Sequence, residues 1–353
     1  APPQSDEVAH VSSVALLIER ISAVNHAFAP TPADIVTLSA IARRLDGLPL
    51  ALELVAARSA LLSPQELLTR LTNGAIFHTL ATGARDLPDR QRTLYSALRW
   101  SYDLLDASAQ RLFRGLAVLA GGTAQAAHEI ALSASSDERF LDVMSALVAS
   151  NLVTVESGPG SADTVSSNGA GADKSTTGVG ERRFSLLHTM RDFGLRCLKE
   201  HREERTLRQR HAEYFVAWGE RMGQESQQGR EGAHSAIERE IENVRAALRW
   251  LQETEQSQAG QRLASALGYF WDVRGYWREG LTWLMAFVSW GAAGSAEDRL
   301  VRSKALRYAS VLAYNMSDLD HASALANEAL DCATDDPALQ ASAYNALATI
   351  AYA

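Results

Sequence analysis

The stretch "IARRLDGLPLALELVAARSALLSPQELL", residues 41–68, sets Gly47 and Pro49 between two segments that each carry helical periodicity. Upstream, Ile35, Leu38, Ile41 and Leu45 fall on one face of a helix that reaches this point. Gly47 enters the left-handed conformation that closes a helix without a Cβ penalty, and Pro49 fits a first helical position, where its missing N–H is no loss. The spacing predicts a helix-turn-helix corner. The helix that follows runs to about Leu62, where "SPQE" gives Ser63 and Glu66 capping-box spacing with Pro64 at the first position. "TPAD" is a second start signal of the same kind, with Thr31 as cap and Asp34 in the first turn. Val14, Leu17, Ile18 and Ile21 mark one more helix before it, so four short helices form the first unit.

Working outward, "TLYSALRWSYDLL", "SAQRLFRGLAVLAGG", "TAQAAHEIAL" and "RFLDVMSALVASNL" read as four further helices. The period then changes. "LVTVES" (152–157) and "RRFSLL" (182–187) alternate like strands, and the Gly-, Ser- and Thr-rich residues 158–180 between them hold too little apolar mass to offset ordering, so a disordered wing is expected. Helices followed by a hairpin suggest a winged helix. From Thr189 to about Met222 a long helical region resumes, and helix follows helix from Ile237 onward. "VRGYWREGLTWL" anticipates "NMSDLDHASALA", and Ala313 and Tyr314 recur as Ala351 and Tyr352, a period that indicates stacked helical hairpins of tetratricopeptide type. The last hairpin is incomplete in this sequence, and a fragment of a longer array is expected. The fold class expected is mostly α: a small helical domain at 1–85, a winged helix with a β-hairpin at 86–190, linker helices at 191–258 and an α-solenoid at 259–353.

The 353 residues are 46% hydrophobic with only 9 prolines and a formal charge of −8, which suits a helical protein of several cores and excludes chain-wide attraction to nucleic acid or anionic membrane. Cys197 and Cys332 have neither disulfide-framework nor metal-ligand spacing, and they are read as packing residues in a reducing cytoplasm. No apolar run is long enough to span a bilayer, and "APPQSDEVAH" lacks the features of a signal peptide.

Taken in order, "RLDGLPLALELVAAR", "SPQELLTRL", "RDLPDRQRTLYSALRWSYDLLD", "LFRGLAVLAGG", "FSLLHTMRDFGL" and "RHAEYFVAWGER" resemble the NB-ARC-type signal-transduction ATPases of large bacterial transcription regulators of LuxR and AfsR type. In that family a P-loop domain precedes a helical domain bearing Gly-Leu-Pro-Leu, a winged helix and a tetratricopeptide-like sensor. The order here matches from the second element onward, and no G-x-x-x-x-G-K-[ST] phosphate loop occurs. The resemblance implies that Gly47, Leu48, Pro49 and Leu50 form the adenine-side wall of an ADP or ATP site completed by an absent P-loop domain. It also implies that His188, in "LLHTM", contacts the ADP phosphates. Leu187 and Thr189 depart from the family's Met-His-Asp motif, and the alternative for His188 is a partly buried residue at a helix start.

Catalytic and metal-binding residues are not expected in this chain; an ATPase activity belongs to the full-length protein. The partners implied are the intramolecular P-loop domain, a small-molecule or protein inducer on the helical repeats and, on activation, further copies of the protein. Direct nucleic-acid binding is not expected, because the candidate recognition helix "DERFLDVMSALVASN" sets Asp137, Glu138 and Asp142 against Arg139. The basic stretch 191–211 reads as a solvated helix with Glu200, Glu203 and Glu204 interspersed among Arg202, Arg205 and Arg208, Glu204 and Arg208 standing at i,i+4. Trp271, Trp277 and Trp283 read as packing residues. The competing function is a free-standing helical scaffold that binds protein without nucleotide control.

Overall fold

The computed structural model describes residues 12–25, 28–72, 94–131, 137–150, 152–156, 182–290, 295–333 and 336–352. Among these it is mostly α, with seventeen α-helices and three short strands, as expected. No helix among them is long and apolar enough to cross a membrane. The chain divides into two compact units, Ala1–Glu204 and Arg205–Ala353.

The first unit begins with α1 (Ser12–Val24), α2 (Pro32–Arg44), α3 (Pro49–Ala56) and α4 (Pro64–Thr72), with a 3-10 turn at Ala57–Ala60 after α3. The capping box read at Ser63 and Glu66 forms, and the Thr31 cap proves to be a second one. Thr31 and Asp34 exchange bonds at the start of α2, and Ser63 and Glu66 do so at the start of α4. The Ser63 bonds hold the Glu66 carboxyl below its ordinary range. α1 packs on α3 and α2 on α4, burying Val14, Leu17, Ile21, Leu38, Ile41, Leu52, Val55, Leu67 and Leu71.

α5 (Leu94–Asp103), α6 (Ala107–Leu116), α7 (Ala124–Ala131), α8 (Asp137–Ala149) and α9 (His188–Glu200) follow, with α6 at the centre against α7, α8 and α9. Tyr102, Phe113 and Phe193 meet there with ring centroids 5.7–6.1 Å apart. Three antiparallel strands, β1 (Gly122–Thr123), β2 (Thr154–Glu156) and β3 (Arg183–Ser185), lie in the order β1-β3-β2, with Val155 opposite Phe184 and Gly122 on its other side. The hairpin expected from the alternation is therefore present but shorter, and β1 is a strand the sequence did not announce. The wing at 158–180 lies outside the described residues.

One expectation is corrected here. The helical region after Thr189 is two helices, because Arg202 takes φ 58° and Glu203 N–H donates back to Leu198 O at 3.0 Å, closing α9. Glu203 consequently leaves the helix surface for Arg114, whose Nε is 2.7 Å away, while Glu200, the last residue of α9, meets both Arg196 on its own helix and Arg99 Nη1 at 2.9 Å.

The second unit is a stack of helical hairpins: α10 (Glu204–Gln227), α11 (Ala233–Glu253), α12 (Ser257–Ala266), α13 (Gly268–Arg274), α14 (Trp277–Val288), α15 (Ala296–Asn315), α16 (Leu319–Cys332) and α17 (Pro337–Tyr352). Gly275 at φ 74° and Ser317 at φ 63° turn α13 into α14 and α15 into α16. The same bond closes both turns, Tyr276 N–H to Trp271 O at 2.9 Å and Asp318 N–H to Ala313 O at 3.1 Å. The match between "VRGYW" and "NMSDL" is thus a match of turn geometry. Close approach needs missing side chains: a Cβ on Gly268 would lie 2.2 Å from the Tyr308 ring, and one on Gly223 would lie 2.1 Å from Ala266 O. Trp271 is fully buried, Trp283 stacks on Phe287, and Trp277 lies at the surface with its indole N–H on Asp272 O.

Candidate functional site

The corner between α2 and α3 is sharper than one left-handed residue makes it. Asp46 at φ 55° and Gly47 at φ 65° are both left-handed, and Gly47 N–H donates to Ala42 O at 2.9 Å. A short polar residue tolerates this conformation where a branched one does not. Pro49 then opens α3 at its first position, exposed, with Gly47, Leu48 and Leu50 half-buried around it. The requirement for glycine at 47 is conformational, since a Cβ there would meet Ser13 Cβ only at an ordinary 3.4 Å contact.

Two left-handed residues in succession turn the Asp46 side chain toward the start of α9. Its Oδ1 accepts from His188 N–H at 3.0 Å, and its Oδ2 accepts from Thr189 N–H and Thr189 Oγ1, each at 2.8 Å. His188 Nδ1 lies 3.1 Å from Oδ1. Leu187, the residue in the cap position, offers no side-chain bond, so a carboxylate from the Gly-Leu-Pro-Leu corner caps α9 in its place. It fills orphan N–H groups at the positive end of the helix. The Asp46 side chain is 5% exposed, Thr189 is fully buried, and the His188 side chain is 66% exposed. Beside the clamp Arg44 Nη2 meets Asp192 Oδ2 at 2.8 Å.

The structure thus brings all five sequence-derived site residues, Gly47, Leu48, Pro49, Leu50 and His188, to one corner of the first unit, and Asp46 is what joins them. Sequence reasoning passed over Asp46. Its signal was an acid immediately before the helix-ending glycine, but the partner lies 142 positions away. Chemically, the corner offers an exposed proline and half-buried leucines as an apolar wall, and an imidazole whose Nδ1 is oriented by a carboxylate. With Nδ1–H given to Asp46, Nε2 donates to an anion in the imidazolium form. The α9 N–H groups at His188 and Thr189 are already taken by Asp46, which leaves the exposed His188 ring as the group at this helix start open to a further partner. Among the described residues no cluster of His, Cys, Asp and Glu could hold a metal ion.

No family model matches the chain, and no solved structure matches it. The chain is 31% identical over 278 residues to a Mycobacterium tuberculosis protein named "Putative HTH-type transcriptional regulator Rv0890c" and equally so to its Mycobacterium bovis counterpart. It is also 39% identical over 110 residues to a protein of M. tuberculosis named "Uncharacterized protein Rv0894", a match covering 31% of this chain and 28% of that one. The 278-residue match takes in 78% of this chain and 29% of the regulator, so the chain spans less than a third of the curated relatives it matches.

Proposed function

We propose that this chain is the regulatory and sensor portion of a nucleotide-gated signal-transduction ATPase that controls transcription. The observation that supports the reading is the Asp46 clamp, which ties His188 to the residue next to the Gly-Leu-Pro-Leu corner across 142 positions of sequence. Its support from outside is the similarity to proteins named as transcriptional regulators. In this reading Leu48, Pro49 and Leu50 wall the adenine of ADP or ATP, His188 holds a phosphate, and a P-loop domain outside the chain supplies the phosphate cradle and the hydrolytic chemistry. Asp46 orients the imidazole and ties α9 to the corner, so that loss of nucleotide and release of the clamp become one event. The helical hairpins of the second unit receive the inducer.

The test uses the full-length protein. Removing the imidazole in His188→Ala costs one hydrogen bond to a charged phosphate, about 1.5–3 kcal/mol, and leaves the fold intact. ADP affinity measured by calorimetry should fall about tenfold or more, and inducer-independent transcription should rise. Pro49→Ala should act more mildly on affinity. Unchanged ADP affinity and unchanged basal output in a folded His188→Ala protein would reduce His188 to a structural position beside a helix cap.

A further inference from the structure

Two adjoining cavities of about 640 and 240 Å³ open in the second unit and share Arg307 and Ser342 in their linings. The larger runs between α10, α12, α15 and the start of α17, and the smaller continues along α15 and α17. Their walls are amphipathic: Leu300, Val301 and Leu339 line the first, Val311 and Ile350 the second. Together they have the size of a groove for a ligand rather than a packing defect.

The charges in this groove are unevenly matched. Glu220 and Arg262 neutralise one another through bonds of 2.7 and 2.8 Å, and Glu297 acts electrostatically on the same Arg262. Lys304 and Arg307, one turn apart on α15, are left without a carboxylate partner among the described residues. The smaller cavity has no acidic residue in its lining, only Arg307 with amides, hydroxyls and apolar groups. Arg307 is also held in place. Its guanidinium carbon sits 3.7 Å over the Tyr308 ring, and Tyr308 OH accepts from Gln227 Nε2 at 3.0 Å. A cation fixed over an aromatic face has already lost the freedom that binding would otherwise remove. The larger cavity sets three cations, Arg262, Lys304 and Arg307, against two carboxylates, Glu220 and Glu297, and the smaller adds no acid, so in a chain of net charge −8 this groove carries a net positive charge that favours an anion.

From this we infer that the groove binds a carboxylate-bearing ligand, with Lys304 and Arg307 on the carboxylate, Ser342 beside it, and the apolar walls on the ligand's body. The planar guanidinium favours a planar carboxylate through paired N–H donors. The inference deepens the sensor reading given above and rests on it for its purpose, while the binding is independent of any nucleotide switch. The carboxylate could belong to an acidic peptide or to a free organic acid, and the two are separated by measurement.

The experiment titrates the 353-residue chain into fluorescein-labelled hexaglutamate and follows polarisation at physiological salt, with succinate and then hexanoate as competitors. Saturable binding is expected, and the Lys304→Gln, Arg307→Gln double variant should weaken it about tenfold or more. Lys199→Gln, an exposed cation of the first unit, should leave it unchanged, and circular dichroism of all variants should coincide. Displacement by either acid at concentrations that do not alter ionic strength assigns the site to a free organic acid; peptide binding without such displacement assigns it to an acidic segment. Absence of saturable binding of all three probes, or equal weakening by Lys199→Gln, would overturn the inference. Neither result bears on ADP retention, which His188→Ala tests in a different unit.

Discussion

Asp46 shows how much one side chain can carry when its backbone is in an uncommon conformation. Its carboxylate meets two backbone N–H groups, a threonine hydroxyl and an imidazole while almost fully buried. Asp46→Ala strands the N–H of a buried Thr189 and removes a charged cap, which should cost about 1.5–3 kcal/mol in urea unfolding of this chain. Asp46→Asn tolerates the left-handed conformation and retains an acceptor oxygen, so its loss should be smaller. Equal losses in the two variants would show that the carboxylate's charge, which both lack, and not the backbone conformation or an acceptor oxygen, sets the cost. Gly47 and Pro49 were legible in the sequence because their roles are local: a left-handed turn and a first helical position. The role of Asp46 was not, because a cap supplied from another helix leaves no spacing to read.

Turns between helices give a cleaner test of backbone energetics. Gly275 and Ser317 occupy equivalent left-handed positions, and the space beyond a Cβ at Gly275 is open, so Gly275→Ala feels conformation alone. It should destabilise the chain by about 1 kcal/mol, and Ser317→Gly should stabilise it by up to a similar amount. Thermal unfolding of both variants checks the sign; a stabilising Gly275→Ala would refute the equivalence of the two turns. The break at Arg202 was hidden for a related reason. A charged residue is an unusual left-handed closer, and the run of Glu and Arg around it mimics i,i+4 pairing on a single helix. In the fold, Glu203 instead faces the 6%-exposed Arg114, whose Nη1 also meets Tyr102 OH at 2.5 Å. The Arg114 hydrogen bonds hold the Glu203 carboxyl below its ordinary value against a smaller opposing effect of burial. A depressed folded pKa contributes stability that is present above the unfolded carboxylate value of about 4.3 and lost as pH falls through the folded value. Glu203→Gln should therefore destabilise the chain at pH 7, on the order of 2 kcal/mol, and the gap to wild type should close on acidification. A gap independent of pH would mean that the pair contributes packing rather than charge.

At the scale of the whole molecule, composition and periodicity carried the mostly α class, while the sheet was only partly legible, since two- and three-residue strands are too short to alternate. The relatives named as HTH-type regulators raise the question of whether this chain itself meets DNA. α8 stands where the expected winged helix would have its recognition helix, and its charges predict the outcome. Asp137, Glu138 and Asp142 stand against a single Arg139 in α8, and Arg139 Nη2 lies 3.4 Å from Ser108 Oγ. Duplex binding depends on cations that release counterions from phosphate, and acids on a helix that approached phosphate would oppose that release. The exposed Leu141 on the same helix suits protein contact better than a groove of phosphates. This chain should therefore show no sequence-specific duplex binding at physiological salt when titrated against a pool of random duplexes, and Arg139→Ala should change nothing in that assay. A footprint at a defined sequence, lost on Arg139→Ala in a protein that stays folded, would make α8 a DNA-reading helix and move the regulatory output into this chain.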